Sequence, residues 1–267
     1  MLTIATVNVN GIRAAFRRGM GDWLESRHPD VLLLQEVRAS DEILADHLPP
    51  GEWHLAHEES QTKGRSGVAI ATRLPMSAIR IGLGTDVPGD SGRWVEADLE
   101  IASHDGAPPR TVTVVSTYVH SGTLGTPSMD EKLAFLEVVT ARLAEISAAG
   151  GYAVVAGDVN IAHREPDIKN WKGNLKNSGF LPEERAWIGQ LFDSHGYVDV
   201  FRQLDQRPDQ YTWWSNRGQA YAKNVGWRID YHLTTDKIAA TARACAIYKD
   251  EKFSDHAPLS IDYDFPL

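Results

Sequence analysis

The chain has one cysteine, no long hydrophobic run and no excess of positive charge. Cys245 is the only cysteine among 267 residues, which excludes an internal disulfide and fits a reducing compartment, so we expect a cytoplasmic protein. No apolar run is long enough to cross a bilayer, and Met1 to Asn8 lack the basic leader of a secretion signal. The formal net charge of -9 argues against a protein that coats nucleic acid, although it permits a local basic face. We therefore expect a soluble protein with no membrane partner.

The sequence also lacks a low-complexity linker and a strict internal repeat. At 267 residues, both one large layered domain and two small ones are possible. A weak internal echo is present, because residues 7–11 (VNVNG) and 157–160 (GDVN) each place an asparagine-containing turn after an apolar strand. This echo predicts two similar halves packed sheet on sheet.

Hydrophobic periodicity predicts helices and many short strands. We expect helices over residues 12–27 and 41–47, a helix that a capping box at Ser128 to Glu131 opens and that Gly150 and Gly151 end, and a further helix that begins at Pro182. A polar stretch over residues 167–178 predicts an exposed loop. Strands are predicted up to Asn8 and over residues 30–35, 53–57, 67–72, 78–81, 93–101, 112–118, 152–157, 198–201, 211–214, 227–234, 240–248 and 259–263.

Polar side chains follow these strands at the points where they end. The set contains four carboxylates, one imidazole and several amides, and its members are Asn8, Asn10, Glu36, Tyr118, Asp158, Asn160, Asp230, Asp255 and His256. Strand ends are where loops converge in layered α/β structures, so we expect these side chains to meet. Crowded carboxylates require compensating positive charge. An oxygen-rich set without sulfur suits a hard cation, Mg²⁺ or Mn²⁺, and such an ion usually works on phosphate.

Each of these residues also has a plain structural interpretation. A single Asp or Asn after a strand is commonly a turn former, Tyr118 can be only a β-former, and Glu36 can simply leave the sheet for solvent. A single histidine is more often hydrogen-bonded structure than a catalyst, and we assign His28, His163 and His195 to that class. The recurrence of acid, amide and imidazole at so many strand ends favours a common site.

Six segments carry a resemblance to a known family. They are NVNGIRA at 8–14, LQE at 34–36, GDVNIA at 157–162, KNSGFLPEER at 176–185, WRIDY at 227–231 and SDHAP at 254–258. In this order they resemble the exonuclease III family of apurinic/apyrimidinic endonucleases, and the match runs from Thr6 to Pro258. The resemblance implies an α/β (α+β) fold, a four-layer αββα sandwich of two mixed sheets flanked by helices, formed by residues 1–267 as a single domain.

The same resemblance implies a DNA repair activity and a cofactor. It implies cleavage of duplex DNA 5′ to abasic sites, together with 3′–5′ exonuclease action and trimming of blocked 3′ ends, by a monomer that uses one or two Mg²⁺ or Mn²⁺ ions. Glu36 resembles the principal metal ligand, and Asp158 resembles the residue that activates water. The family's metal set maps onto Asn8, Asn10, Glu36, Asp158, Asn160, Asp255 and His256, and its catalytic set onto Tyr118, Asp158, Asn160, Asp230 and His256.

The resemblance also extends to substrate contacts. Trp213, Trp227 and Ile229 match the apolar walls of an abasic-sugar pocket, although core packing is the plain alternative for an indole. Arg228, together with the lysines at 176 and 223, matches contacts to DNA. Lys176 and Lys223, with Lys169, Lys172 and Arg185, would form a basic strip that makes binding steeply dependent on salt.

One segment departs from the family pattern, and other functions remain open. Many members carry Pro and then Asn or Gln after the tyrosine, whereas here Tyr118 is followed by Val119, His120 and Ser121. The balance of endonuclease and exonuclease action is therefore open. The first alternative is a phosphatase of the same superfamily that acts on a small phosphorylated metabolite or lipid head group. The second is a DNA-end or protein-binding module with a decayed site.

Overall fold

The computed structural model describes residues 1–84, 91–101 and 109–265. The strands are β1 (Leu2–Asn8), β2 (Val31–Gln35), β3 (His54–Glu58), β4 (Val68–Thr72), β5 (Met76–Ile81), β6 (Trp94–Ile101), β7 (Arg110–Tyr118), β8 (Tyr152–Asp158), β9 (Tyr197–Asp199), β10 (Trp213–Trp214), β11 (Gly226–Trp227), β12 (Asp230–Thr235), β13 (Ala242–Ile247) and β14 (Leu259–Tyr263). The α-helices are α1 (Ile12–Arg17), α2 (Met20–Arg27), α3 (Asp41–His47), α4 (Pro127–Ala148), α5 (Trp171–Asn174), α6 (Pro182–His195), α7 (Val200–Leu204) and α8 (Asp236–Ala239), and Glu165–Asp167 form a 3₁₀ turn.

Across the described ranges, the strands form two six-stranded sheets and one short ribbon. The first sheet has the order β13-β14-β1-β2-β4-β3, the second β5-β6-β7-β8-β12-β9, and β10 pairs with β11. Each six-stranded sheet has one parallel pair at its centre, β1 with β2 and β7 with β8, and its other pairs are antiparallel. Strands β1 and β8 therefore occupy matching places, which agrees with the two similar halves that the sequence echo predicted.

The hydrophobic core shows why the central strands lack a polar face. Along β1, Leu2 and Ile4 join the apolar layer between the two sheets, whereas Ala5 and Val7 pack beneath α1, α2 and α3. The second sheet is covered on its outer face by α4 and α6. Strands with both faces buried have continuous apolar sequences. The αββα fold and its two mixed sheets are confirmed. In the described part of the chain, no helix is long and apolar enough to cross a membrane.

Several predicted boundaries were wrong at their ends. The helix predicted over 12–27 divides at Gly19, whose φ of 103° is left-handed and ends the first helical run. The capping box predicted at Ser128 is absent, because α4 begins one residue earlier, with Pro127 in its first turn and Thr126 at the N-cap.

Other predicted segments changed type over part of their length. The polar stretch over 167–178 includes the α-helix Trp171–Asn174 as well as exposed loop. The predicted strand over 198–201 becomes helix at Val200, where the Asp199 side chain caps the new helix by accepting a hydrogen bond from the Arg202 N–H. The predicted strand over 227–234 is interrupted at Arg228 and Ile229.

Gly157 allows the parallel strands β7 and β8 to approach closely just before Asp158. Its φ is 148°, and a Cβ atom placed there would lie 2.0 Å from the Thr117 carbonyl oxygen. No larger residue fits without moving the backbone that carries Asp158.

We expect Gly157→Ala to lower the free energy of unfolding by about 3 kcal/mol, because its methyl group would overlap Thr117 at a strained backbone angle. Urea unfolding measures this change. Gly151→Ala is the matched control, since a Cβ at Gly151 meets no atom within 4 Å. Equal stability of the Gly157→Ala protein and the wild type would contradict the close approach.

Candidate active site

Asn8 joins acidic residues from the two sheets. Its side-chain amide donates hydrogen bonds to Glu36 Oε1 at 2.8 Å and to Asp158 Oδ2 at 2.9 Å, although Glu36 follows β2 of the first sheet and Asp158 ends β8 of the second. Asn8 is fully buried, and its Oδ1 accepts a hydrogen bond from the Asn10 N–H. The predicted meeting of strand ends therefore occurs, with one amide between two carboxylates.

Three site residues have a left-handed backbone within two residues of the end of a strand. The φ angles are 46° at Asn10, 49° at Glu36 and 53° at Asn160. Asparagine tolerates this region, whereas glutamate adopts it only at a cost, so the surrounding contacts must impose it. The sharp turns aim all three side chains from the sheet ends toward one place.

Asp158, His256 and Asp230 form an acid–imidazole relay, in which Asp230 is hydrogen-bonded to His256 and Asp158 makes an ion contact with it. Asp230 Oδ2 lies 2.9 Å from His256 Nδ1, and His256 Nε2 lies 3.7 Å from Asp158 Oδ2. Asn160 holds the other side of Asp158, because its backbone N–H donates to Asp158 Oδ1 at 3.0 Å and its side-chain amide donates to Oδ2 at 3.2 Å. All three members of the relay are buried.

Burial and mutual attraction shift the pKa values of this relay. Burial raises the pKa of Asp158 to about 7, although the neighbouring imidazolium of His256 opposes that rise. Burial lowers the pKa of His256, but attraction to Asp230 and Asp158 outweighs it and raises the pKa to about 10. At neutral pH the imidazole therefore keeps its proton, while Asp158 is close to its own titration point.

Asp255 enters the site through Asn10 and an indole. Asn10 Nδ2 donates to Asp255 Oδ1 at 2.9 Å, and Trp213 Nε1 donates to Asp255 Oδ2 at 3.3 Å. Burial would raise the pKa of Asp255, but the charge of His256 and these donors outweigh it and lower the pKa. Asp255 therefore stays ionised beside the other acids.

Tyr118 lies next to the same acids. The Arg93 guanidinium stacks over its ring at 4.9 Å. Burial and the negative charges of Glu36 and Asp158 raise the pKa of the Tyr118 phenol, so the hydroxyl remains a hydrogen-bond donor. Arg38 donates a hydrogen bond to Glu36 Oε2 and supplies positive charge that the crowded acids require. The sequence predicted a compensating positive charge beside the acids, but it did not identify Arg38, two residues after Glu36, as its source.

The predicted aromatic wall stands beside the relay. The rings of Trp213 and Trp227 lie 6.2 Å apart at 83°, and Trp213 lies 6.4 Å from the ring of His256. Both indoles are half-buried, whereas Trp214 is fully buried and packs in the core. Ile229 is also buried, and it joins Trp213 and Trp227 in one apolar cluster.

The predicted contact of Arg228 with DNA is wrong, because the side chain is buried inside the protein. It has no exposed surface, and it donates to Asp167 at 2.8 Å and to Asp199 at 2.7 Å. Its charge is therefore neutralised inside the protein, and Arg228 cannot reach DNA in this conformation. Lys176 and Lys223 are exposed.

Sequence reasoning missed a second group of cations, on the Glu36 side of the site. A cleft of about 520 Å³ is lined by Glu36, Tyr118 and three arginines, and a groove of about 240 Å³ shares some of its walls. The cations that line one or both are Arg13, Arg38, Lys63, Arg65 and Arg93. The available signal was their position, since Arg13 and Arg38 closely follow the site residues Asn10 and Glu36.

Comparison with known proteins agrees with this geometry. Residues 5–256 match the model of the endonuclease/exonuclease/phosphatase family. The chain belongs to this family. A DNA repair nuclease APEX1 of Danio rerio is 31% identical over 97% of this chain and 81% of its own length, and an exodeoxyribonuclease III of Haemophilus influenzae is 31% identical over 96% of this chain and 97% of its own length. An AP endonuclease structure from Archaeoglobus fulgidus covers 99% of this chain and 100% of its own, with a TM-score of 0.87 and 29% identity.

The family member described here has a donor set that fits a hard divalent cation. Asp158, Asp230 and His256 bring ligand atoms within 4.8 Å of one another, but the hydrogen bond between Asp230 and His256 already uses two of those atoms. Glu36 and Asp255 add further carboxylate oxygens, linked to Asp158 through Asn8 and Asn10. Arg38 and protonated His256 offset part of the negative charge, and the remainder suits a cation with oxygen ligands.

We expect Asp230→Asn to lower the pKa of His256 by about 1 to 3, because it removes an opposite charge in direct contact. NMR titration of the imidazole nitrogens in EDTA measures this pKa, and Asp22→Asn, an exposed acid on α2, is the control. The raised pKa stabilises the folded protein below the ordinary value of 6.5, and this contribution is lost as the pH rises through about 10. A wild-type imidazole that loses its proton near pH 6.5 would contradict the relay.

Proposed function

We propose that the protein is a metal-dependent DNA repair phosphodiesterase that cuts duplex DNA 5′ to abasic sites and also digests or trims 3′ ends. The observation that carries this proposal is the meeting of Glu36, Asp158 and the Asp230–His256 pair beside half-buried indoles. The relatives named above are DNA repair and exonuclease proteins, which supports the same substrate class. We further propose a cytoplasmic monomer whose residues 1–267 form one domain.

In this proposal the relay carries out the proton transfers. Asp158 accepts the proton of the attacking water, because a carboxylate with a pKa of about 7 is suited to general base catalysis at neutral pH. His256 keeps its own proton and therefore donates a hydrogen bond to a phosphoryl oxygen, while Asp230 fixes the orientation of its ring. The Asn160 amide holds Asp158 in place from its other side, since its two N–H groups donate to Asp158 Oδ2 and to the Val119 carbonyl oxygen.

The remaining polar residues hold the cofactor and the phosphate. Glu36, Asp255, Asn8 and Asn10 are the groups that would bind Mg²⁺ or Mn²⁺. When bound, such an ion neutralises charge on the phosphoryl oxygens and stabilises the departing 3′-oxygen. The protonated Tyr118 hydroxyl donates a hydrogen bond to the phosphate from the Glu36 side.

Trp213, Trp227 and Ile229 provide the selection of the lesion. A sugar without its base leaves space that apolar rings fill, whereas an intact nucleotide brings a polar base against the same wall. The perpendicular indoles form a rigid corner next to His256, and the sugar would stack there with its phosphate directed at the relay.

We expect Asp158→Asn to lower the incision rate by about 10²- to 10⁴-fold, because the general base is removed. The assay compares a duplex oligonucleotide that carries one abasic analogue, an undamaged duplex and an inositol phosphate, each with Mg²⁺ and with EDTA. The proposal requires incision at the lesion that EDTA abolishes, with Asp22→Asn as active as the wild type. Phosphate release from the inositol phosphate alone would instead identify a small-molecule phosphatase, and binding without turnover would identify a binding module.

We expect Arg65→Ala to weaken DNA binding and to reduce the slope of log Kd against log salt by about 0.9, the change for one lost phosphate contact. Fluorescence anisotropy with an abasic duplex in EDTA measures both quantities. Arg243→Ala is the control, since Arg243 lies on the edge strand β13 and pairs with Asp264. If the slope for Arg65→Ala is unchanged, the groove that Arg65 lines with Arg13, Arg38 and Lys63 is not part of the DNA interface.

A further inference from the structure

A fully buried ion pair lies between α4 and α6, behind the acid–imidazole relay. Lys132 Nζ is 2.6 Å from Glu184 Oε1, and neither side chain has exposed surface. Charged residues of these types are rarely buried completely. The cost of removing both charges from water offsets much of their attraction, so net stability is a weak explanation for the pair.

Lys132 uses its remaining donors on the main chain of the site. Its ammonium donates to the Asn160 carbonyl oxygen at 3.0 Å and to the Ser121 carbonyl oxygen at 3.3 Å, so together with Glu184 it has three acceptors for three N–H groups. Asn160 is the residue whose left-handed backbone directs two donors at Asp158. The ammonium therefore holds the left-handed turn at Asn160 through the carbonyl oxygen of that residue.

Ser121 extends the connection to the segment that departs from the family pattern. The Asn160 side chain also donates to the Val119 carbonyl oxygen at 2.9 Å, so residues 119–121 and Asn160 are held together at two points. Ser178 adds a third tie, because its hydroxyl lies 2.6 Å from the Ser121 carbonyl oxygen and 3.3 Å from Glu184 Oε1.

Glu184 connects the same pair to the aromatic wall. Its Oε2 accepts hydrogen bonds from the Gly179 N–H at 2.6 Å and the Leu181 N–H at 3.0 Å. Gly179 has a left-handed φ of 89°, and a Cβ there would lie 3.0 Å from the Trp227 ring and 3.1 Å from the Asn160 carbonyl oxygen. Gly179 is thus a thin spacer between the indole and the turn that supports Asp158.

We infer that Lys132 and Glu184 are positioning residues that fix Asn160 and Trp227 relative to each other, and so place the phosphate and the lesion sugar in one geometry. This inference rests on the proposed function. The pair acts on the chemical step through Asn160 and on lesion fit through Gly179. Because both side chains are fully buried, neither can itself contact DNA.

The test uses variants that separate positioning from stability. Lys132→Met alone leaves a buried unpaired carboxylate and is expected to lower the thermal midpoint by about 10 °C. Lys132→Met combined with Glu184→Gln removes both charges, and the glutamine still accepts hydrogen bonds from Gly179 and Leu181. This double variant should regain most of the lost midpoint, while the Asn160 and Ser121 carbonyl oxygens remain without the hydrogen bonds from Lys132.

The measurement is single-turnover incision of an abasic duplex, at a temperature where circular dichroism shows every variant folded. We expect the double variant to react about 10- to 100-fold more slowly than the wild type, as when a supporting hydrogen bond behind an active group is lost. Its DNA Kd in EDTA should stay within about 2-fold, because the phosphate contacts that dominate affinity are untouched. This separation of rate from affinity is a result that loss of stability alone does not produce.

Two further variants keep the inference falsifiable. Arg142→Met with Glu96→Gln removes the ion pair that α4 makes ten residues beyond Lys132, together with the Arg80–Glu96 pair, and should leave the incision rate unchanged. Ser178→Ala removes a half-buried hydroxyl without burying a charge, and should slow incision about 5-fold, the value of one hydrogen bond. A folded double variant, or Ser178→Ala, that incises at the wild-type rate would overturn the positioning role. Incision by the wild type in the same assay tests the proposed function separately.

Discussion

The site depends on one amide placed between two carboxylates. Glu36 follows a strand of the first sheet and Asp158 a strand of the second, and the Asn8 side chain donates to both. Beneath this point the sheets are joined again, because Gln35 donates to Ser116 Oγ at 2.9 Å and accepts from Thr6 Oγ1 at 3.2 Å. Buried polar groups must be paired, so these bonds fix how the two sheets sit against each other. The distance between the acids is therefore a property of the whole sandwich.

The sequence was sufficient for the residues whose position follows from strand periodicity. Asn8 and Asp158 end strands that are largely apolar on both faces, and such strands can lie only in the middle of layered structure, whereas Asp230 begins its strand and lies opposite Asp158. The echo between residues 7–11 and 157–160 likewise predicted the matching places of β1 and β8. Local pattern was informative here because burial on both sides leaves little freedom.

The sequence was insufficient wherever a side chain's partner comes from a distant segment. Arg228 stands in a motif otherwise made of site residues, and only the folded chain shows Asp167 and Asp199 closing around it. Lys132 lies at a helical position with no local sign of burial, since its partner Glu184 is far along the chain. Arg38 and Arg65 meet in one cleft through a loop-to-loop contact that periodicity does not encode. Boundaries at Gly19 and Pro127 depended on backbone angles rather than on hydrophobicity.

Four cations lie together on an otherwise acidic molecule and influence the direction from which DNA approaches. They are Arg13, Arg38, Lys63 and Arg65. The net charge of -9 repels DNA from most directions of approach, whereas the groove that these four cations line attracts it from one direction. Electrostatic steering therefore orients the DNA relative to the protein before the two surfaces touch. This electrostatic attraction extends about 8 Å into solvent at physiological ionic strength and farther in dilute buffer. The association rate and the affinity for DNA would then both fall as the salt concentration rises, since the same few side chains govern both.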